Sequence, residues 1–145
     1  MKTLSSETVH TSCVAIRGRA VLLAGRSGRG KSDLALRLID RGAKLVSDDY
    51  TLVRRSGDAL LASAPDTISG KIEVRGVGIL EFPAERDVPV ALIVDLDLDP
   101  TRLPAAPEQR SVAGIALPVV ALSALEASAP IKVEGALLRF GLALS

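Results

Sequence analysis

Apolar residues fall into short blocks along this chain, and the spacing within each block predicts its element. Residues 12–16 and 20–24 are two aliphatic runs separated by Arg17-Gly18-Arg19. Two such runs about a glycine-containing turn predict a β-hairpin. The next eight residues, Gly25-Arg26-Ser27-Gly28-Arg29-Gly30-Lys31-Ser32, have no hydrophobic periodicity. Helical spacing follows at once: Leu34, Leu38 and Ile39 share a face, with Leu36 near its edge, which predicts about three turns of helix. Arg37 and Arg41 stand toward its end, where cations suit the helix dipole, and Gly42 is placed to stop it.

Beyond the helix, Leu45-Val46 predicts a strand ending at Ser47-Asp48-Asp49. Residues 50–53 and 59–62 predict a hairpin around 54–58. Residues 72–80 read as one β-type stretch interrupted by Gly76 and Gly78, and 88–98 carry the strongest strand signal, alternating at its end through Asp95, Asp97 and Asp99. A proline-rich loop occupies 100–107. Residues 114–120 and 131–144 are strand-like, and 121–129 fit a helical turn. The expected fold is α/β: a β-rich mixed sheet with few helices, forming a single domain over residues 1–145.

Composition narrows the class of protein. The chain has 145 residues and 48% hydrophobic content, enough for one real core and too much for a disordered chain. A formal net charge of +1 gives no overall pull toward nucleic acid or an anionic membrane, and 2% aromatic residues provide no stacking platform for bases. One cysteine forms no internal disulfide, which fits a reducing compartment. The start carries Lys2 but no apolar signal-like region, and no apolar run approaches the roughly 20 residues of a membrane span. The expectation is a small soluble cytoplasmic domain.

Candidate chemistry begins at the glycine-rich loop, which fits the phosphate-loop pattern GxxxxGK[ST]. Wrapping a polyphosphate requires backbone N–H groups to turn inward, and Gly25, Gly28 and Gly30 remove the Cβ atoms that would obstruct this. Lys31 would place its ammonium on the β- and γ-phosphates, and the Ser32 hydroxyl would ligate Mg²⁺. A strand before the loop and an amphipathic helix after it supply the expected context.

Asp48 and Asp49 close the next strand, where one could orient Mg²⁺ and the other accept a hydroxyl proton; an Asp pair opening a turn is the plainer reading. His10, the single histidine, could orient a carboxylate or be a surface residue. Cys13 reads as a small core residue. Asp95, Asp97 and Asp99 read as a solvated strand face, since the spacing of a calcium loop is missing. Arg17, Arg19, Arg26 and Arg29 put local positive charge around the loop, which suits an anion.

Taken in order, these residues resemble the HPr kinase/phosphorylase family. That family has a histidine before its first strand, a GxSGxGKS loop, a helix ending in Arg-Gly, and Leu-Val-x-Asp-Asp. The corresponding pieces here are His10, the loop from Gly25 to Ser32, Arg41-Gly42, and Leu45-Val46-Ser47-Asp48-Asp49. The family signature Glu-x-Arg-Gly-x-Gly-Ile is matched by Glu73-Val74-Arg75-Gly76-Val77-Gly78-Ile79.

The resemblance implies an ATP-dependent protein-serine kinase acting on HPr, a small phosphocarrier of the phosphotransferase system, with a fold similar to phosphoenolpyruvate carboxykinase around its phosphate loop. It also implies ATP and Mg²⁺ as cofactors, Ser32 and Glu73 as metal ligands, Asp49 as proton acceptor with Asp48 in support, and His10 as neighbour of that carboxylate. Arg75 joins the site through the signature, and Arg102, in Thr101-Arg102-Leu103-Pro104, corresponds loosely to a later active-site arginine.

The chain resembles the truncated proteobacterial form that lacks the N-terminal domain, and hexameric assembly is the family's habit. Asp33 stands where the family has Glu. Around Leu117-Pro118-Val119-Val120-Ala121 the basic Pro-Gly-Arg segment tied to the phosphorylase reaction is missing, so kinase activity is expected and phosphorolysis is left open. The C-terminal helix that helps grip the partner in longer members is not evident before Ser145. A nucleotide-sensing module without transfer, or a small-molecule kinase, are the alternatives.

Overall fold

A computed structural model describes residues 5–143; Lys2 and Leu144, which entered the expectations above, lie outside the described residues. Within them the order is β1 (Ser6–Val9), β2 (Thr11–Ile16), β3 (Arg19–Ala24), α1 (Lys31–Asp40), β4 (Lys44–Ser47), β5 (Thr51–Ser56), β6 (Ala59–Ser63), β7 (Lys71–Val74), β8 (Gly78–Glu81), β9 (Val88–Asp95), β10 (Glu108–Val112), β11 (Ile115–Ala121) and α2 (Ala129–Phe140). Nine strands form a mixed sheet in the order β1-β5-β6-β9-β3-β2-β4, with β11 also on β9 and β10 on β11; β7 and β8 make a separate hairpin.

The sheet branches at β9. Its first residues pair antiparallel with β6, its last residues pair parallel with β11, and its other edge pairs parallel with β3. Between these halves the register slips: Ala20 faces Val90 but Val21 faces Leu92, so Ala91 is the extra residue of a bulge. One extra residue reverses which side chains face which side. Val88 and Val90 accordingly point into one core with Leu22, Leu60 and Val53, whereas Leu92 and Val94 join the other with Leu23, Leu34 and Val133. The spare carbonyl of Ala91 accepts from the N–H of Leu142 at 2.9 Å, tying the segment after α2 to the sheet.

Helix α1 buries Leu34, Ala35 and Leu38 against the sheet. It ends in a Schellman motif: the Gly42 N–H reaches Ile39 O and the Ala43 N–H reaches Leu38 O, both at 3.0 Å, with Gly42 at φ 109°.

Several expectations are corrected. Residues 131–144 are not strand-like; α2 runs Ala129–Phe140, because Ala129, Val133, Ala136 and Leu137 recur at helical spacing and are buried, and Pro130 suits the first turn. The segment just before α2 is a run of turns rather than a helical turn. The stretch 72–80 is a hairpin, β7 against β8, with Gly76 and Gly78 at positive φ allowing the reversal. A strand, β1, also precedes His10, pairing with β5.

The registers explain where chemistry gathers. Ala24, at the end of β3, faces Thr11 at the start of β2 and Asp95 at the end of β9; Ala121, at the end of β11, also faces Asp95. Ser47, at the end of β4, faces Cys13. One rim of the sheet thus carries, in spatial order, the end of β4, the start of β2, and the ends of β3, β9 and β11.

Candidate active site

The loop from Gly25 to Ser32 leaves β3 at the middle of that rim and turns directly into α1. Gly30 is the N-cap at φ 90°, Gly28 lies at φ 85°, and no side chain caps the helix. The first-turn N–H groups therefore face the loop without an intrahelical or side-chain acceptor, as an anion site requires. Lys31 is 5% exposed, and its Nζ donates to Gly25 O at 2.6 Å, spanning the loop from end to end.

Asp48 is held at the floor of the site. Its Oδ1 accepts from Ser32 Oγ at 2.6 Å and from Ser12 Oγ at 3.0 Å, while Oδ2 accepts from the Glu73 N–H at 3.1 Å. One carboxylate thereby joins α1, β2 and β7. Asp49 is displayed differently. The Tyr50 N–H donates to Asp48 O at 2.7 Å, closing a three-residue turn with Asp49 at φ 66°. This turn ends the strand and resolves the problem that adjacent strand residues point to opposite faces. Its Oδ1 lies 2.9 Å from His10 Nε2 and 4.0 Å from Lys31 Nζ. The His10 ring stacks on Tyr50 with centroids 5.1 Å apart.

Ser27, Gly28, Gly30, Lys31, Ser32, Asp48, Asp49, Glu73 and Arg75 all line one open cleft of about 760 Å³. Hairpin β7–β8 forms one wall, and Leu125, from the turns before α2, stands on the rim. Arg26 and Arg29 point elsewhere: their Nε atoms lie 3.5 and 3.1 Å from Asp97 Oδ1, and the Arg26 N–H donates to Asp97 Oδ2 at 3.0 Å. Arg102 is exposed in the loop after β9 and is not among the residues lining the cleft.

Asp95 is not on a solvated face. It is buried, accepts from Arg110 at 2.8 Å, and takes the Asp97 N–H at 2.9 Å, because its strand end is covered by β10 and β11. Sequence reasoning overlooked Ser12, Tyr50 and Arg110, and read Asp97 only as part of a solvated strand face. Ser12 had one usable signal: a hydroxyl at the head of the otherwise apolar run Cys13-Val14-Ala15-Ile16.

The fit to a divalent cation rests on the donors. Ser32, Asp48 and Glu73 offer only oxygen, which suits a hard ion. No cluster of three or more metal-ligating side chains occurs among the described residues.

Burial pushes the Cys13 thiol well above its ordinary value, because removal from water disfavours the thiolate. No helix among the described residues is long and apolar enough to cross a membrane.

Comparison with known proteins gives a consistent result. Residues 2–85 match the family model described as HPr Serine kinase C-terminal domain. An HPr kinase/phosphorylase of Peptoclostridium acidaminophilum is 49% identical over 82 residues, covering 56% of this chain and 27% of that protein. One from Geobacillus thermodenitrificans is 38% identical over 130 residues, covering 81% of this chain and 42% of its own length. The chain thus spans less than half the length of these curated relatives. The solved structure of an Hpr(Ser) kinase/phosphatase from Coxiella burnetii superposes with a TM-score of 0.78 at 27% identity, covering 89% of this chain and 87% of that one. By sequence and by fold, the chain belongs to the HPr serine kinase C-terminal domain family.

Proposed function

We propose that this chain transfers the γ-phosphoryl group of ATP to a serine of an HPr-type phosphocarrier protein. The observation that carries this reading is the Asp49 carboxylate, displayed in the phosphate-loop cleft between His10 and Lys31. A phosphate loop alone indicates a nucleotide; a carboxylate beside its lysine adds a proton acceptor.

In this mechanism the loop N–H groups and Lys31 bind the β- and γ-phosphates, the Lys31 ammonium exchanging the Gly25 carbonyl for phosphate oxygen. Ser32 and Glu73 would hold Mg²⁺, which neutralises charge on the phosphates. Asp48 fixes the Ser32 hydroxyl and the backbone of Glu73. The acceptor serine oxygen forms a bond to the γ-phosphorus as the bond to the β–γ bridging oxygen breaks. ADP leaves with that electron pair, and the serine proton passes to Asp49. His10 orients Asp49, and Arg75 faces the developing charge from the hairpin wall. Positioning and charge neutralisation supply most of the rate.

The test is transfer of labelled γ-phosphate from ATP to purified HPr-type proteins, with Lys31→Ala as control. Label on a serine, lost in the variant, is expected. Equal labelling by Lys31→Ala would overturn the assignment of the loop. ATP binding with no transfer to any phosphocarrier would overturn the kinase assignment in favour of a nucleotide sensor.

A further inference from the structure

The turns between β11 and α2 carry a leucine whose placement the phosphate loop does not explain. Leu125 is 84% exposed yet lines the cleft, and its Cδ2 lies 3.7 Å from where a Cβ on Gly30 would stand. Both neighbouring carbonyls are fastened by one side chain. Arg37 donates through one terminal nitrogen to Glu126 O at 3.1 Å and through the other to Ala124 O, while its Nε donates to Asp33 Oδ2 at 3.0 Å. These bonds fix the backbone on either side of Leu125, so the turn presents an apolar side chain to the cleft that the chain itself does not bury.

The order of strand ends along the rim indicates what the leucine meets. Asp48 and Asp49 follow β4, on one side of the phosphate loop; Leu125 follows β11, on the other. In-line phosphoryl transfer places the acceptor and the departing nucleotide on opposite sides of the transferred group. With the acceptor hydroxyl at Asp49, the nucleoside extends toward the β11 side. Ribose and base are also the parts of a nucleotide with apolar faces.

We infer that Leu125, held by Arg37, is a nucleoside-contacting residue: it packs on the ribose or base of the bound nucleoside triphosphate. This rests on the phosphate-loop reading above. The test compares ATP with inorganic tripolyphosphate, which has the phosphates and no nucleoside. Calorimetric titration in Mg²⁺ would be made on the whole chain and on Leu125→Ser, Leu125→Met and Lys31→Ala.

Leu125→Ser is expected to weaken ATP roughly five- to tenfold, with tripolyphosphate unchanged and Leu125→Met within about twofold of the parent. Equal weakening of both ligands by Leu125→Ser, or no change in ATP, would overturn the inference and leave the phosphate-loop reading standing. If neither ligand binds the parent chain, or if Lys31→Ala binds both undiminished, the phosphate-loop reading fails and the inference with it.

Discussion

Ser12 donates its hydroxyl to Asp48 Oδ1 at 3.0 Å and accepts the Asp49 N–H at 3.1 Å, so one buried serine on β2 holds both members of the aspartate pair. The two carboxylates consequently differ. Asp48 is buried and accepts three hydrogen bonds, whereas Asp49 is half-exposed on a turn. Ser12→Ala removes a bond to a buried charge and a partner of a turn N–H. It should lower stability by about 1–3 kcal/mol, read as a lower urea midpoint at unchanged slope. A change within a few tenths would mean that Asp48 finds another donor.

Asp49→Asn keeps the shape and tolerates the left-handed backbone at φ 66°. Transfer should fall by about 10²-fold or more, while ATP affinity changes little, since a proton acceptor acts mainly in the transition state. Steady-state rates and a nucleotide titration separate the two effects. Parallel loss of rate and binding would make Asp49 a part of the binding site instead.

Gly28 and Gly30 both have φ near 90°, but their surroundings differ. A Cβ at Gly28 meets nothing within 4 Å, whereas one at Gly30 meets Ala124 Cβ at 3.2 Å, in the turn that Arg37 clamps. Gly28→Ala should cost about 1 kcal/mol from backbone strain alone. Gly30→Ala should cost about 2 kcal/mol or more, because the clamped turn must move. Thermal unfolding without nucleotide checks the order, and equal losses would show that the turn yields freely.

Cys13 is fully buried in the sheet, with its thiol kept protonated by burial. It should resist a thiol reagent at pH 8 and react stoichiometrically once the chain is unfolded in guanidinium. Fast modification of the native protein would contradict its place in the core.

Local patterns in the sequence determined a good deal of this protein. Glycine spacing with Lys31-Ser32 marked the loop that leads into α1, and helical spacing with Gly42 marked α1 and its end, because loop conformation and helix termination are set by residues adjacent in the chain. The same holds for the hairpins at 12–24 and 51–63, whose turns are local. Helix α2 was misread because its exposed face carries Ile131 and Leu138, which blur the 3.6-residue pattern that Val133 and Leu137 complete.

Other features were decided only by the fold. Whether Asp48 and Asp49 open an ordinary turn or line a site depends on β2 lying between β4 and β3, which brings Ser12 and His10 to them. Asp95 alternates like a surface residue, yet β11 and Arg110 cover it. The bulge at Ala91 leaves no mark in an unbroken apolar run, although it selects the core each later side chain enters. These outcomes depend on which strands become neighbours, and pairing between distant segments follows from the burial of both sheet faces together rather than from any one stretch of chain.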